Sequence, residues 1–383
     1  MTYICLKNAM KKSPFWNIIR SAKISLKNIK TGFAKREVEK YDGKPLTTII
    51  QSKIQETIKS NRAIYFHNEE VARSLANNWQ GVLDLPQNIT FIEGAIPVVL
   101  CANDKFAPYT AVMLQSILDN SNPKRKYHFI IFEQDFLDKT KKYLIEQLSK
   151  FSHCFIDFIT TKNAFTKIPI PVNTPHFSTD IFSRYFIPYW LDKYPKVIYC
   201  DSDMLAKTDI AELYDFDIQN YCIGAAANQW ICATVGKQKY STLVNFAVFA
   251  FHNNWERYIN SGLLLFNTKA FRKKFSYQDL FKFTIYYTNR YKRIFPDQDI
   301  LSLLIKDDYY LLPPAWNYCW EKSITADADS FQKNETSAKI IHFTSNIKPW
   351  KNLPEIANNP DAIAYREYAK NVPLYDLLHC KDQ

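Results

Sequence analysis

The 383-residue chain is poor in glycine and has no apolar run long enough to cross a membrane. With only seven glycines, one at a predicted turn, such as Gly262, is expected to serve a backbone purpose. A membrane-spanning helix needs about 20 consecutive apolar residues, and the sequence contains no such run. Met1–Lys12 also lacks the apolar stretch and cleavage pattern of a signal peptide. We therefore predict a cytoplasmic protein.

The eight cysteines are scattered, and no two of them form a C-x-x-C pair. Cys101 and Cys200 each end a short apolar run, where a small buried residue fits. This distribution is typical of reduced thiols in a cytoplasmic protein rather than of a disulfide framework.

Positive charge is concentrated near the N-terminus. The net charge is +11, and residues 1–60 alone carry 13 Lys or Arg against 4 Asp or Glu. Apolar residues recur here at alternating spacings of four and three, as on one face of a helix, with the basic residues mainly off that face. The apolar positions are Phe15, Ile19, Ala22, Leu26, Ile29 and Phe33.

A basic amphipathic helix predicts binding to an anionic membrane surface through residues 12–36. The alternative is an extra helix that packs on the main domain and leaves its lysines in water. Nucleic acid is not an expected partner, because the rest of the chain is nearly neutral and shows no recognition motif.

From about residue 95, predicted strands alternate with predicted helices, which indicates an α/β fold with a parallel, doubly wound sheet. Strands are predicted at 98–102, 127–132, 155–159 and 197–200, and helices at 108–118, 137–151 and 180–191. Beyond residue 205 the alternation loosens, which indicates a mixed second half. We predict a basic amphipathic extension (1–60), a helical linker region (61–94), a main domain (95–352) and a C-terminal tail (353–383).

Two carboxylates stand at the end of the strand Val197–Cys200, where Asp201, Ser202 and Asp203 follow. Residues i and i+2 of a strand point to the same side, so both carboxylates can face one point beyond its C-terminal end. Open α/β sheets bind ligands at that edge, and carboxylate oxygens suit Mg²⁺ or Mn²⁺, which neutralises a diphosphate. Taken alone, the pair also fits an ordinary acidic turn.

Four further segments favour the metal site. A strand with a polar exit lies at 96–104, a polar turn and strand at 258–267, an acidic turn at 295–301, and a strand ending in histidine at 340–350. In order and spacing this series resembles glycosyltransferase family 8, the retaining enzymes that include bacterial lipopolysaccharide galactosyl- and glucosyltransferases and glycogenin. The resemblance covers about residues 95–352. It implies a GT-A fold, a Rossmann-like mixed sheet with helices on both faces, beside the helical N-terminal extension.

The resemblance also implies an activity. A retaining, metal-dependent hexosyltransferase would move galactose or glucose from a UDP-sugar to a glycan acceptor, with Mn²⁺ or Mg²⁺ as cofactor. The family and the basic segment together favour lipopolysaccharide or lipooligosaccharide core, or another lipid-linked glycan, as acceptor. Such a protein would be peripheral at the inner membrane face.

By the same resemblance, Asp201, Asp203 and His342 bind the metal, and Lys348 contacts the donor diphosphate. Without it, His342 would be a structural histidine at a strand end, and Lys348 a solvated loop lysine. Arg184 corresponds to an arginine near the donor sugar and phosphate, for which the alternative is an ion pair on a helix surface. Ser202 and Ser345 are also expected in the donor site. Ser345 replaces a glycine that relatives usually carry, which alters the detail of the phosphate loop.

The nucleotide base is expected near the end of the first strand, at Cys101, Ala102, Asn103 and Asp104. Relatives read the base with an acidic or amide side chain, so Asn103 and Asp104 are both candidates. Phe106 corresponds to an aromatic position that stacks on the base, and a core ring is the alternative.

The resemblance places Asn260 at the donor-sugar hydroxyls, and Asp297 and Gln298 near the anomeric carbon. Double displacement needs a carboxylate nucleophile, whereas Gln298 offers only an amide. We therefore favour same-face substitution through an oxocarbenium-like state. For Asp297 and Asp299 the alternative is favourable negative charge at a helix N-terminus.

Two other functions compete with this prediction. One is a catalytically reduced protein that binds sugar nucleotides or acts as a scaffold in surface-glycan assembly. The other is a divalent-metal hydrolase or phosphotransferase, which would need a water-activating base; the sequence offers no histidine-rich or second carboxylate cluster for that role.

Overall fold

A seven-stranded mixed sheet forms the centre of the protein. The computed structural model describes residues 68–79, 89–161, 164, 168–169, 179–229, 257–290, 296–306, 308–320, 338–344, 347–351 and 353–375. The strands of this sheet are β1 (Ala95–Ala102), β2 (Lys126–Glu133), β3 (Cys154–Thr160), β4 (Lys196–Cys200), β6 (Ile223–Ala227), β7 (Ile259–Asn267) and β8 (Tyr310–Leu311). Their spatial order is β3-β2-β1-β4-β7-β6-β8.

Helices cover both faces of the sheet. They are α1 (Glu69–Asn78), α2 (Ala107–Asp119), α3 (Asp138–Leu148), α4 (Ser183–Trp190), α5 (Ala211–Tyr214), α6 (Thr268–Lys274), α7 (Tyr277–Arg290), α8 (Pro296–Ile305) and α9 (Pro360–Lys370). Alternate residues of β1 enter opposite cores: Val98 packs with the layer that contains α2 and α9, whereas Val99 packs with the layer that contains α4 and α7. This period-two pattern is why β1 is apolar along its length.

The first four strands are parallel to one another, as the strand–helix alternation predicts. β7 then enters the sheet antiparallel to β4, and β6 pairs antiparallel with β7. Cys200 at the end of β4 lies opposite Leu263, and the amide of Asp201 donates to the carbonyl of Gly262 at 2.8 Å. The start of β7 therefore lies beside the two carboxylates that follow β4.

A second, three-stranded sheet supplies the histidine. It consists of β5 (Met204–Ala206), β10 (Ile340–His342) and β9 (Tyr318–Cys319), with β10 in the middle. His342 pairs with Met204 on one side and with Cys319 on the other. Because β5 follows Asp203 directly, this pairing places His342 beside the carboxylates although it lies far away in sequence.

The α/β class, the doubly wound first half and the mixed second half are thus confirmed. The helix predicted at 180–191 is a 3-10 turn, Thr179–Phe182, followed by α4. The segment predicted as a tail contains α9, whose Tyr365 is buried in the core. The N-terminal extension lies outside the described residues, so its amphipathic helix stays a prediction. Among the helices of the described part, none has the length and apolarity to span a bilayer.

Candidate active site

Asp201, Asp203 and His342 form one cluster at the C-terminal end of β4. Each offers one ligand atom, and these three atoms lie within 4.8 Å of one another. His342 Nε2 is 3.3 Å from an oxygen of Asp203 and 3.8 Å from one of Asp201. His342 is nearly buried, whereas the carboxylates keep 26% and 21% of their side-chain surface exposed. The structure therefore brings together the three residues predicted as metal ligands, with one side open.

This donor set fits a divalent cation. Two carboxylates offer hard oxygen ligands of the kind that Mg²⁺ and Mn²⁺ prefer, and a neutral imidazole is a common third ligand for Mn²⁺-type ions. Tyr199 donates its hydroxyl to Asp201 at 2.5 Å, so one oxygen of that carboxylate is already oriented by the protein.

Gly262 lets the backbone of β7 approach these ligands. A Cβ atom at this position would lie 2.8 Å from an oxygen of Asp201 and 2.8 Å from Nδ1 of His342, closer than real Cβ contacts allow. The expected backbone reason for this glycine is therefore a close approach to two side chains of the cluster.

Arg184 joins the cluster to Asp297. Its guanidinium lies 2.7 Å from Asp297 and 3.2 Å from Asp201, and its side chain is only 6% exposed. It also donates to Ser261 at 3.1 Å, and the hydroxyl of Ser261 donates to Asp297 at 2.8 Å. The alternative of a surface ion pair is wrong for Arg184, because the residue is buried between two predicted site carboxylates.

The two carboxylates of the cluster have different electrostatic surroundings. Burial raises the pKa of Asp201, against the opposing effect of the charge on Arg184. Burial also disfavours the ionised form of Asp203, but the charge of Lys348 holds the pKa of Asp203 well below its usual range. Burial disfavours the charged form of Arg184. Nearby negative groups, of which Asp297 has the largest effect, outweigh burial, so the pKa of Arg184 lies above its ordinary value.

Lys348 lies against this cluster rather than in open solvent. Its ammonium is 2.7 Å from Asp203 and also donates to the carbonyl of Phe343. Trp350 stacks on Tyr109 of α2 with ring centroids 4.0 Å apart, which anchors the loop that carries Lys348. The solvated-lysine alternative is therefore wrong, since the side chain is only 20% exposed and lies beside the predicted metal site.

The residues predicted at the nucleotide base lie at the end of β1 and in the turn that follows it. Cys101 and Ala102 are half-buried. The carboxylate of Asp104 accepts from the amide of Leu137 and the hydroxyl of Thr140, so it holds the start of α3. Asn103 caps the 3-10 turn Asp104–Phe106 by accepting from the amide of Phe106. Phe106 is 44% exposed, so the alternative of a core ring is wrong.

Asn260, Asp297 and Gln298 lie next to the cluster and are nearly buried. The amide oxygen of Gln298 lies 3.4 Å from the amide of Ser261, and its nitrogen donates to Tyr258 at 3.0 Å. Asp299 is fully buried and accepts the hydroxyl of Tyr258. The hydroxyl of Tyr258 thus links Asp299 to Gln298, and Asp299 does not face the open side of the cluster.

Ser202 points away from the carboxylates on either side of it. Its hydroxyl shares a 2.8 Å hydrogen bond with Thr110 of α2, which fixes the turn between β4 and β5. Ser345, the other serine predicted at the donor site, lies outside the described residues.

Asn317, like Tyr199 and Ser261, is a polar residue of the site that is absent from the sequence prediction. Asn317 is completely buried at the end of the 3-10 turn Pro314–Asn317. It contacts Nδ1 of His342 at 3.0 Å and the side chain of Asn260 at 3.0 Å. The only available signal was an asparagine directly before a short strand, which is a common pattern and carries no indication of its partners.

Comparison with known proteins agrees with this geometry. The sequence model described as "Glycosyl transferase family 8" matches residues 97–353. General stress protein A of Bacillus subtilis is 25% identical over 282 residues, which cover 71% of this chain and 93% of that protein. Lipopolysaccharide glucosyltransferase WaaO of Escherichia coli is 24% identical over 244 residues, 62% of this chain and 68% of that one.

Two solved structures share the fold. The bifunctional glycosyltransferase WbbM gives a TM-score of 0.62 at 22% identity, covering 76% of this chain and 52% of its own. An active-site mutant of LgtC gives 0.58 at 18% identity, covering 73% of this chain and 96% of that one. The chain thus spans about half of WbbM and nearly all of LgtC, and it has a GT-A fold.

Proposed function

Because the chain belongs to glycosyl transferase family 8, we propose that it is a retaining, metal-dependent hexosyltransferase that uses a UDP-sugar. The observation that carries the proposal is the convergence of Asp201, Asp203 and His342 within 4.8 Å, with Lys348 beside them at 2.7 Å from Asp203. Two carboxylates, an imidazole and an ammonium at the ligand-binding edge of an α/β sheet suit a metal-bound diphosphate.

Different residues of the chain bind different parts of the donor. Asp201, Asp203 and His342 would hold Mn²⁺ or Mg²⁺, which would supply positive charge to the diphosphate. Lys348 adds an ammonium at the same point, within a part-buried site where a charge is poorly screened. Asn103 or Asp104 reads the base, and the exposed ring of Phe106 stacks on it.

Sugar transfer takes place beside Arg184 and Asp297. Gln298 carries no nucleophilic carboxylate, so the favoured chemistry is same-face substitution through an oxocarbenium-like state. Asp297 supplies negative charge next to that state or orients a sugar hydroxyl, and Arg184 holds it in place at 2.7 Å. Lys348 stabilises the departing diphosphate, whose oxygen takes the proton of the acceptor hydroxyl.

For the acceptor we propose lipopolysaccharide or lipooligosaccharide core, or another lipid-linked glycan. The likeness to a protein named lipopolysaccharide glucosyltransferase supports this choice. The basic pattern of residues 12–36 supports a peripheral position at an anionic inner membrane face. Galactose and glucose are both compatible donors, because they differ at one hydroxyl.

Calorimetric titration with UDP, with and without Mn²⁺, tests the donor site. We expect tight binding that needs both the metal and the carboxylates, and its loss in an Asp201→Ala/Asp203→Ala variant. Asp215→Ala is a matched control, since its 55% exposed carboxylate pairs with Arg125 away from the site. The proposal would be contradicted if the affinity for UDP were the same with and without Mn²⁺ and the same in the double variant.

A second assay separates transfer from the competing functions. Incubation with UDP-galactose or UDP-glucose and a glycan acceptor should yield a lengthened glycan together with UDP. Cleavage of the donor to UMP and hexose 1-phosphate, without sugar transfer, would indicate a hydrolase. Metal-dependent binding without turnover of any UDP-hexose would indicate the sugar-nucleotide scaffold.

A further inference from the structure

A chain of buried hydrogen bonds runs from a backbone amide of β7 to the ring of His342. The amide of Gly262 donates to Oδ1 of Asn260 at 3.0 Å. The side chain of Asn260 meets that of Asn317 at 3.0 Å, and Asn317 meets Nδ1 of His342 at 3.0 Å. All of these groups are buried, so each donor must face an acceptor.

The backbone amide of Gly262 fixes the donor and the acceptor of every hydrogen bond in this series. A backbone N–H can only donate, so the atom of Asn260 that faces it is the carbonyl oxygen. The atom of Asn317 that faces the same oxygen must then be its NH₂ group. This leaves the carbonyl oxygen of Asn317 toward the imidazole, and Nδ1 of His342 must carry the hydrogen.

We propose that Asn317 is a positioning residue that holds His342 as the Nδ1–H tautomer. A neutral imidazole has one protonated nitrogen, so this tautomer leaves Nε2 with a free lone pair. Nε2 is the atom that lies 3.3 Å from Asp203 and 3.8 Å from Asp201. The role for Asn317 rests on the metal site of the proposed function, whereas the tautomer is a property of the protein alone.

Asn317 also couples two parts of the site. The same amide touches Asn260, predicted at the donor sugar, and His342, predicted at the metal. Ligand histidines commonly donate their second ring N–H to a group that fixes the ring, and loss of that group weakens metal binding about 10- to 100-fold. A buried asparagine is suited to this role because its two ends have opposite hydrogen-bond polarity.

Nitrogen-15 NMR of the histidine side chains tests the tautomer directly. The signal of His342 is assigned by its loss in His342→Gln, and spectra are recorded without metal, at a pH high enough for a neutral ring. We expect Nδ1–H in the wild type and in Asn317→Asp, whose carboxylate still accepts from Nδ1. Asn317→Leu should shift the ring toward Nε2–H. An Nε2–H ring in the wild type overturns the proposal without any variant.

Metal affinity supplies the second readout. Calorimetry with Mn²⁺ in the presence of UDP should show binding weakened about 10- to 100-fold in Asn317→Leu. Cys319→Ala is the matched control, since the thiol of this buried residue of β9 donates to the backbone carbonyl of Asn317 rather than to its side chain, and the substitution should leave both readouts unchanged. Thermal unfolding identifies any variant that fails to fold.

The outcomes separate the two proposals. Equal Mn²⁺ affinity and an unchanged tautomer in folded Asn317→Leu would overturn the role of Asn317 alone. No Mn²⁺ binding by the wild type would overturn the metal site of the proposed function, and the NMR result would still decide the tautomer.

Discussion

Arg184 lies buried against Asp297, with the guanidinium 2.7 Å from the carboxylate, although the two residues are far apart in the chain. The same guanidinium reaches Asp201 at 3.2 Å and lies over the ring of Tyr199. One cation thus holds the carboxylate predicted near the anomeric carbon and a carboxylate predicted at the metal. It ties α4, β4 and α8 together at a single point.

Substitution of Arg184 by alanine should therefore affect stability as well as activity. The nearly buried Asp297 and the partly exposed Asp201 would both lose their partner, and breaking a buried pair costs about 3–5 kcal/mol. Chemical denaturation should show this loss. Arg125→Ala, which breaks a pair with the 55% exposed Asp215, should cost at most about 1 kcal/mol. Equal, small effects of the two substitutions would contradict the bridging role of Arg184.

Gly262→Ala tests the close approach of β7 to the cluster. The new methyl group would lie 2.8 Å from Asp201 and closer still to the ring of His342, so these side chains must move. We expect loss of Mn²⁺-dependent UDP binding and destabilisation of about 1–3 kcal/mol, as for other overpacked sites.

Gly224→Ala is the matched control for this experiment. Gly224 lies on neighbouring β6, and a methyl group there would meet its nearest neighbours at an ordinary 3.6 Å. UDP binding should be retained in this variant. If Gly262→Ala bound UDP and Mn²⁺ as the wild type does, the close approach of β7 to Asp201 and His342 would be contradicted.

Stability should depend on pH through His128. This residue of β2 is fully buried between Tyr194 and Asp157, at 2.7 and 3.1 Å. Burial lowers the pKa of His128 more than the neighbouring carboxylate of Asp157 raises it. The unfolded chain therefore binds this proton first, at about pH 6.5, and stability is full above that pH and falls as the pH decreases toward the folded value.

Urea denaturation at a series of pH values measures the effect. For one proton, the free energy of unfolding should fall by at most about 1.4 kcal/mol per pH unit below pH 6.5. His128→Gln should show a shallower slope over the same range, whatever its absolute stability. Identical slopes for the two proteins would exclude His128 as the source.

The basic segment near the N-terminus, outside the described residues, predicts membrane binding. Replacing Lys23, Lys27 and Lys30 by glutamate should release the protein from anionic vesicles, since each lysine contributes about 1 kcal/mol near such a surface. Co-sedimentation with vesicles measures this, with neutral lipid vesicles as control. If wild type and variant sedimented to the same extent, membrane binding through these lysines would be contradicted, and a helix that packs on the main domain would be favoured.

The sequence predicted those parts of the site whose signal is local. Asp201 and Asp203 follow an apolar strand directly, so their common direction could be inferred from the period of two. The parallel half of the sheet was predictable for the same reason, because each strand and helix shows its own pattern. His342 and Lys348 were identified through the family resemblance, because a histidine at a strand end has many structural uses.

Asn317 and α9 show where sequence reasoning stops. The role of Asn317 depends on Asn260, which lies on β7 of the large sheet, and on His342, which lies on β10 of the small sheet. No pattern around residue 317 records those partners. In α9, the proline and polar residues suggested a tail, but Asn359 caps the helix and Tyr365 enters the core beneath β10. In both cases tertiary packing, rather than local propensity, decides the structure.

The central position of β10 has a consequence for synthesis on the ribosome. The two carboxylates and Arg184 are made early, whereas His342 and Lys348 come from the last part of the described chain. A product released between β8 and β10 would still contain the strands of the large sheet, yet it would lack His342, the predicted third ligand, and the ammonium of Lys348 beside it. Under the proposed function, a chain that ends in this interval would have an incomplete donor site, so incomplete copies would not withdraw substrate from finished ones.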